Sequence, residues 1–353
     1  MGLRVAIVGA TGAVGQQMRG LLEQRDFPIE GDPLFLASHR SAGKRLPWRD
    51  GEVEVAEISA EAFEGVDVAL FSAGGGRSRE WAPIAAEKGA VVIDNSSAFR
   101  MDEQVPLVVS EVNPEAMANR PKGIVANPNC TTMVLMVAAK PLHEAFGLTE
   151  MVAMSYQAAG GAGQGGIDEL LTQARQLLEL DPQRLVSDGA GAEAGVDAES
   201  FSKAIAFNVL AHCGNFTDER HTDEEWKLVN ESRKILAAPD LKVSPTCVRV
   251  PVVVGHGISA RLTFAQPADR EAALKALGDA PGLEVVDGVD ADGEQLAYPT
   301  PLASAGRDEV MVGRVREDLA DPSSLGLWVV GDNLRKGAAL NAVQLAELIA
   351  EGR

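Results

Sequence analysis

The sequence has few of the features that mark secreted, metal-binding or membrane proteins. It contains only three cysteines, an odd number and far apart in the chain, which do not make a disulfide framework or a zinc site. Its longest apolar runs are shorter than a bilayer span, and no apolar segment followed by a cleavage site marks the N-terminus. These absences predict a cytoplasmic protein with no metal and no membrane partner.

Positive charge is scarce as well. Lysine and arginine together number 32 against 51 aspartates and glutamates, which gives a formal net charge of −19. Such a charge repels phosphates at long range and argues against nucleic acid or anionic membranes as partners. An anionic substrate would therefore need a locally basic pocket. The 353 residues are enough for two domains with a sizeable core.

Short apolar strands alternate with helices in the first third of the chain. The predicted strands cover residues 4–9, 34–38, 53–58, 66–72, 91–94, 107–109 and 124–126, with helices at 16–24 and 77–88. Alternation of this kind indicates right-handed crossovers and a mostly parallel sheet. We expect an α/β domain of the Rossmann type over residues 1–130.

The rest of the chain has longer strands and few short hairpins. Strands are predicted at 151–157, 248–254, 258–264, 310–316 and 327–330, and helices at 167–180, 224–236, 269–277 and 336–351. This pattern predicts an α+β domain with a largely antiparallel sheet over residues 131–331. The remaining residues, 332–353, are expected to form a helix that packs back on the first domain. The stretch 188–200, rich in Gly, Ala and acidic residues, is expected to be an exposed loop.

A glycine motif of the form G-x-x-G-x-x-G follows the first predicted strand. Gly9 permits a tight turn, Gly12 lets the backbone approach a pyrophosphate, and Gly15 lets the following helix lie close to the sheet. The N–H groups of Thr11–Val14 would then point at the phosphates. The motif predicts a dinucleotide site, and a purely structural glycine turn is the alternative.

The end of the second predicted strand indicates which dinucleotide binds. It reads Ser38-His39-Arg40-Ser41, without the acidic residue that is usual at NAD sites. An arginine flanked by hydroxyls suits the extra phosphate of NADP, because a guanidinium can bond it bidentately. NADP is therefore the predicted cofactor, and a solvated surface arginine is the alternative.

A cysteine stands where a loop is predicted to become a helix, in Asn127-Pro128-Asn129-Cys130. Turn and cap residues precede it and an apolar run without glycine follows, so a helix should begin at or just after Cys130. Unpaired N–H groups and the helix dipole there favour a thiolate. Cys130 is a candidate nucleophile, although a lone cysteine is often only a small buried side chain.

With motifs further along, these segments resemble the aspartate-semialdehyde dehydrogenase family over essentially the whole chain. The motifs occur in the order found in that family, at residues 9–15, 72–75, 94–100, 128–130, 156–157, 224–227, 247–256 and 332–337. The resemblance implies reductive dephosphorylation of β-aspartyl phosphate with NADPH, giving aspartate β-semialdehyde and phosphate. It further implies reversibility, a place in lysine, threonine, methionine and isoleucine biosynthesis, and a homodimer.

The resemblance also implies roles for single residues. Cys130 attacks the acyl phosphate, phosphate leaves, and a thioester remains to accept hydride. His256 is the implied acid–base partner; its flanking glycines predict exposure in a cleft, and an ordinary imidazole titrates near neutral pH. Gln157 is expected to orient the thioester and Asn129 to position the acyl oxygen.

Two anions have to be held in such a reaction. The resemblance assigns Arg249 to the substrate carboxylate, Glu224 to the α-amino group, and Arg100 and Lys227 to inorganic phosphate. Glu224 and Lys227 lie three apart on a predicted helix, so a solvated ion pair is the alternative for them. The remaining expected cofactor contacts are Ala13, Val14, Ser72, Gly160, Gly161 and Asn333.

Two other functions compete with this interpretation. The first is another acyl-phosphate reductase, acting on N-acetyl-glutamyl phosphate or glyceraldehyde phosphate. The second is a non-catalytic NADP-binding sensor. Such a sensor would not need all four of the residues Cys130, Gln157, Arg249 and His256 together. One departure from the family pattern is Arg77, where a small hydroxyl residue is expected.

Overall fold

The computed structural model describes residues 2–217, 219–289 and 296–352. The helices are α1 (Ala13–Gln24), α2 (Gly75–Glu87), α3 (Cys130–Phe146), α4 (Gln164–Leu178), α5 (Pro182–Ser187), α6 (Gly189–Glu193), α7 (Asp223–Ile235), α8 (Arg270–Gly278), α9 (Pro301–Ser304) and α10 (Asn341–Ala350). The strands are β1 (Val5–Val8), β2 (Leu34–Ala37), β3 (Arg45–Trp48), β4 (Gly51–Glu57), β5 (Val68–Phe71), β6 (Val91–Asp94), β7 (Ile124–Ala126), β8 (Leu148–Gln157), β9 (Lys242–Arg249), β10 (His256–Phe264), β11 (Leu283–Val285), β12 (Gly288–Val289), β13 (Leu296–Ala297), β14 (Val310–Glu317) and β15 (Ser324–Gly331).

The chain divides into two compact units. The first unit comprises Met1–Val137, Asn230–Pro239 and Leu334–Arg353, and the second comprises Ala138–Val229 and Asp240–Asn333. The domain boundaries proposed from the sequence, after residues 130 and 331, stay predictions.

A seven-stranded sheet in the order β3-β4-β2-β1-β5-β6-β7 forms the centre of the first unit. All of its pairs are parallel except β3–β4, an antiparallel hairpin at one edge. Every residue of β1 is buried, as expected for a parallel strand covered on both faces. The predicted α/β architecture of the Rossmann type is confirmed.

The strand predicted at residues 107–109 does not form. The side chain of Asn113 donates to the carbonyl of Leu107 and accepts from the N–H of Val109, so these groups are not available to a longer ladder. Leu107 makes only an isolated bridge to Ala126. A local asparagine thus competes with the sheet for backbone hydrogen bonds.

The last helix belongs to the core of the first unit. Leu340, Val343, Leu345 and Ala346 are fully buried in one cluster with β1 and α1 side chains. The predicted return of this helix to the first domain is therefore confirmed. Its start differs from the prediction, because a π-helical turn over Arg335–Leu340 precedes α10.

A six-stranded sheet in the order β11-β14-β15-β10-β8-β9 forms the second unit. Its three inner pairs are antiparallel and its two outer pairs are parallel, so the prediction of a largely antiparallel sheet holds. The strand predicted at 248–254 ends earlier, at Arg249. No described helix is long and apolar enough to cross a membrane.

The segment 188–200 is not wholly a loop, contrary to expectation. It contains the short helix α6, which Asp188 caps by accepting a hydrogen bond from the N–H of Gly191 at 3.0 Å. Ala192 of this helix is buried in a small cluster with Leu170 and Leu177 of α4. Alanine and glycine content alone did not reveal this packing.

Candidate active site

The glycine motif of the first unit forms the turn that the sequence predicts. Gly9 has a φ of +90°, and a Cβ on it would lie 2.3 Å from the carbonyl oxygen of Ser72. A Cβ on Gly15 would lie 2.3 Å from the carbonyl oxygen of Gly9. Both positions therefore require glycine, which brings the start of α1 against the ends of β1 and β5.

A pocket of about 240 Å³ lies beside this turn. It is lined by Val8, Gly9, Thr11, Gly12, Ala37, Ser38, Ser41, Ile58, Ser72, Ala73 and Arg77. Six of the predicted cofactor residues are among them. Arg77, which the sequence analysis noted only as a departure from the family pattern, adds a cation to the same lining. Its position near the start of α2 was the signal that could have placed it there.

The other predicted cofactor residues do not line this pocket. Ala13 and Val14 form the first turn of α1, and Val14 packs against the core. Arg40 is exposed in the turn that follows β2. Gly160, Gly161 and Asn333 belong to the second unit.

Helix α3 begins at Cys130, as predicted. The side-chain oxygen of Asn129 accepts hydrogen bonds from the N–H groups of Thr131 at 3.0 Å and Thr132 at 3.2 Å, and so caps the helix. Cys130 is partly exposed, whereas Cys213 and Cys247 are buried. Burial raises the pKa of the Cys247 thiol far above its ordinary value. Cys130 is thus the cysteine placed for nucleophilic chemistry.

Arg100 is buried in the same unit, next to the cysteine loop. Its Nε donates to the carbonyl of Asn127 at 2.9 Å and its Nη2 to the carbonyl of Asn95 at 3.0 Å. Its Nη1 bonds the carboxylate of Glu231 at 3.0 Å. Glu231 is a residue that the sequence reasoning missed.

In the second unit, strand pairing brings three predicted residues to one end of the sheet. β8 and β9 run parallel, with Gln157 opposite Arg249. β10 begins at His256 and runs antiparallel to β8, with Gly257 opposite Tyr156. Residues distant in sequence therefore meet at these strand ends.

The side chains of Arg249 and His256 both contact the loop that follows β8. The Nη1 of Arg249 donates to the carbonyl of Ala158 at 2.8 Å, and Nδ1 of His256 accepts from the N–H of Ala158 at 3.0 Å. A Cβ on Gly161 would lie 2.7 Å from Arg249 Nη1 and 3.2 Å from His256 Cε1. Gly161 is therefore adjacent to the catalytic candidates of this unit.

The expectation that His256 is exposed and titrates near neutral pH is wrong. Its side chain is 0% exposed, because Gly255 packs on Pro301 and Gly257 on the ring of Trp328, where side chains would collide. Burial, together with the charge of Arg249 and against the opposing charge of Glu224, lowers the pKa of His256 to about 3. The ring is neutral, and the bond accepted at Nδ1 leaves the proton on Nε2.

Glu224 and Lys227 form the ion pair that their spacing predicts, at 2.9 Å. The pair is not simply solvated, since the other oxygen of Glu224 accepts from Gln157 Nε2 at 3.5 Å. The side chains are 11% and 27% exposed. Glu224 and Gln157 are thus neighbours, as a shared substrate site requires.

Asn333 lies at the end of the second unit. Its Oδ1 accepts from the N–H of Gly255 at 2.9 Å, which fixes the residue before His256. Its Nδ2 is buried and has no hydrogen-bond partner among the described residues. A buried amide donor of this kind suits a polar group of a bound molecule.

A glycine turn between β1 and α1, a parallel sheet and a thiol at a helix start define a dinucleotide-binding protein with a candidate cysteine nucleophile. Comparison with known proteins agrees with this class. Residues 4–120 match the family model described as semialdehyde dehydrogenase, NAD binding domain, and residues 139–336 match semialdehyde dehydrogenase, dimerisation domain.

Full-length relatives are equally informative. The aspartate-semialdehyde dehydrogenase of Corynebacterium glutamicum is 49% identical over 98% of this chain and 99% of its own length. That of Streptomyces akiyoshiensis is 50% identical, over 99% and 98%. A crystal structure of aspartate semialdehyde dehydrogenase II from Vibrio cholerae, complexed with ASA, has a TM-score of 0.91 at 44% identity and covers 99% of each chain. The chain belongs to the aspartate-semialdehyde dehydrogenase family, as the sequence motifs predicted.

Proposed function

We propose that the chain catalyses the reversible, NADPH-dependent reductive dephosphorylation of β-aspartyl phosphate to aspartate β-semialdehyde and phosphate. The observation that carries the proposal is the partly exposed Cys130 at the capped start of α3, in a chain of this family. The names of the relatives favour this substrate over N-acetyl-glutamyl phosphate. A non-catalytic sensor would have no use for such a thiol.

The covalent steps are assigned to Cys130 and its helpers. The Cys130 sulfur attacks the acyl carbon, the carbon–oxygen bond to phosphate breaks, and a thioester forms. The positive end of the helix dipole at the start of α3 favours the thiolate. Gln157 orients the acyl group, and Asn129 positions its oxygen while capping the helix.

His256 is assigned a donor role, which its tautomer supports. With Nδ1 accepting from the Ala158 N–H, the neutral ring carries its proton on Nε2 and can donate it as a hydrogen bond to a negatively charged oxygen. Removing a proton from the thiol would require the other tautomer and loss of the bond to Ala158. The proposal therefore places oxyanion stabilisation first among the functions of His256.

The charged substrate groups are assigned to four side chains. Arg249 binds the carboxylate, supported by its place at the strand end beside Gln157. Glu224 binds the α-amino group. Arg100 and Lys227 bind phosphate. Because the chain has a net charge of −19, an anionic substrate requires such local cations.

NADP is the proposed cofactor, and its nicotinamide supplies or accepts the hydride when bound. The residues present fit such a group, because the glycine turn has no room for side chains at Gly9 and the hydroxyls of Ser38 and Ser41 line the adjacent pocket. Arg40 between these serines is proposed for the extra phosphate, with Arg77 as a second cation. The buried Nδ2 of Asn333 suits the nicotinamide amide.

We further propose a cytoplasmic homodimer that serves lysine, threonine, methionine and isoleucine biosynthesis. The matched dimerisation domain supports two copies. Met154 and Tyr156 are exposed on one face of the second sheet, and Tyr156 and Trp328 line a cavity of about 350 Å³. That face is the proposed contact between copies.

A comparison of two aldehydes tests the reaction. The rate of phosphate-dependent NADPH formation is measured with aspartate semialdehyde and with N-acetyl-glutamate semialdehyde. We expect turnover with the first and little with the second, together with labelling of one thiol per chain by iodoacetamide that substrate blocks. Preference for the acetylated aldehyde would instead identify the other reductase, and no turnover with either would favour the sensor.

A further inference from the structure

Glu231 on α7 bonds two parts of the cysteine loop region through separate oxygens. Oε1 accepts from Nη1 of Arg100 at 3.0 Å, and Oε2 accepts from the backbone N–H of Asn129 at 2.7 Å. The residue is 1% exposed. One carboxylate thus connects the proposed phosphate arginine with the residue before the proposed nucleophile.

The contact to Glu231 is one of three hydrogen bonds that orient Arg100. A guanidinium carries five N–H donors, and in the described structure Arg100 directs one each from Nε, Nη1 and Nη2 to Asn127, Glu231 and Asn95. One N–H on each Nη lies outside these three bonds. Donors on the two Nη atoms can bond the oxygens of a phosphate.

The contact to Asn129 gives the same carboxylate a second task. The N–H of Asn129 precedes the helix that its own side chain caps, so Glu231 holds the backbone on which Cys130 is placed. The same buried carboxylate contacts both the guanidinium and the backbone of the cysteine loop. The second oxygen therefore points to a geometric function.

We propose that Glu231 is a positioning residue that fixes the Arg100 guanidinium relative to the Cys130 loop, so that phosphate is held where it leaves or attacks the acyl carbon. This inference rests on the proposed function. It concerns a residue that touches neither phosphate nor the acyl group.

Glu231→Asp is the informative variant, because it keeps the charge but is one methylene shorter and cannot reach both partners. We expect the KM for phosphate in the oxidative direction to rise about tenfold or more, the effect of losing one charge-assisted hydrogen bond. The KM for aspartate semialdehyde should change less than about twofold. Phosphate should also protect Cys130 from iodoacetamide less well, a readout that needs no turnover.

Glu347→Asp is the matched control. Glu347 bonds Arg25 through both oxygens, at 2.7 and 2.9 Å, in the same unit but outside the cysteine loop. The same shortening there should leave phosphate saturation unchanged, whatever it does to the thermal midpoint. In an Arg100→Met background, Glu231→Asp should have no further effect on phosphate saturation, since a positioning residue acts through its partner.

Three outcomes decide the matter. A selective rise in the phosphate KM that vanishes in the Arg100→Met background supports the proposal. A lowered thermal midpoint with unchanged phosphate saturation and protection would make Glu231 a structural ion-pair residue and overturn it. If the unmodified protein shows no phosphate-dependent turnover, the proposed function itself fails; phosphate protection of Cys130, compared between the unmodified protein and Glu231→Asp, then still decides whether Glu231 sets the phosphate site.

Discussion

The three cysteines of this chain differ in what surrounds them, and the difference decides their chemistry. Cys130 is partly exposed at a helix start, where the helix dipole favours the thiolate. Cys213 and Cys247 are buried, and burial raises the pKa of Cys247. Reactivity therefore follows from placement at the helix start.

Replacing Cys130 with alanine is expected to abolish turnover, because no thioester can form. Binding of NADPH, followed by fluorescence titration, should persist. Cys213→Ala is the control and should keep its activity. More than a few per cent of activity left in Cys130→Ala would exclude the covalent route.

Arg40→Ala is expected to weaken NADPH about tenfold to hundredfold while NADH binding changes little, since only NADPH carries the extra phosphate. Equilibrium titration with both cofactors measures this directly. Arg79→Ala, an exposed arginine of α2 outside the pocket lining, is the control. Equal losses for both cofactors would make Arg40 a plain surface residue.

His256 links the site to stability in acid. Its pKa of about 3 in the folded state lies below that of an unfolded histidine, so the unfolded state binds the extra proton first as pH falls. Stability should decrease by up to about 1.4 kcal/mol per pH unit from about pH 6.5 towards pH 3 for this group. His256→Gln lacks this contribution, and its urea midpoints should fall less steeply over that range. Parallel pH dependence in the two proteins would contradict the burial argument.

Sequence motifs predicted the candidate reacting residues but not the residues that contact them. Cys130, Arg249 and Gln157 stand in motifs whose chemistry can be stated residue by residue. Glu231 was missed because its partner Arg100 lies 131 residues away. The exposure of His256 was misjudged, since its glycines accommodate Pro301 and Trp328 and such packing is set by the fold.

At the scale of elements, the turn before α10 is built around a buried ion pair. Lys336 is 0% exposed; its Nζ lies 2.5 Å from Glu111 Oε2 and 2.8 Å from Gln344 Oε1. Burial by itself would raise the pKa of Glu111, but the charge and hydrogen bond of Lys336, with hydrogen bonds from Ser110 and Gln344, outweigh it and lower that pKa. Glu111 therefore keeps its negative charge beside Lys336.

Lys336→Met is expected to destabilise the protein by about 3–5 kcal/mol, because it leaves Glu111 as a buried charge without its cation. Urea unfolding measures the change. Adding Glu111→Leu to this variant should restore much of the loss, since no charge is then left buried. Arg335→Ala removes an exposed contact to Gln24 and should cost under about 1 kcal/mol. If Lys336→Met alone were as stable as the unmodified protein, water would have to reach the Glu111 carboxylate.

Sequence periodicity predicted helices and strands correctly where local signals, such as an apolar run or a cap residue, specify them. The strands at β6 and β7 and the start of α3 agree with prediction because apolar runs and cap residues specify them locally. The strand at 107–109 failed because a side chain, Asn113, took its backbone groups. Neither α6 nor the π-helical turn has a periodicity that would reveal it.

At the scale of the whole molecule, the second sheet has an exposed face with large apolar side chains that suit a protein partner. Met154 is 45% exposed and Tyr156 37%, and the ring of Tyr156 meets that of Trp328 edge-on at 5.4 Å. Aromatic and methionine side chains at a surface are typical of interfaces. A second copy of the chain is the proposed partner.

Met154→Arg is expected to shift the protein from twice the mass of one chain to a single chain in sedimentation equilibrium, because a buried unpaired charge opposes association. Leu319→Arg, at a fully exposed position of a turn, should leave the mass unchanged. A dimer that survives Met154→Arg would place the interface elsewhere.

The membership of residues 334–352 in the first unit has a consequence for biosynthesis on the ribosome. Leu340, Val343 and Leu345 fill the core around β1, yet they are translated after every residue of the second unit. Nascent β1, β2 and β5 therefore keep an apolar face uncovered until residues 334–352 have left the ribosome. Chaperone occupancy during synthesis should follow that delay and end when the last helix emerges from the exit tunnel.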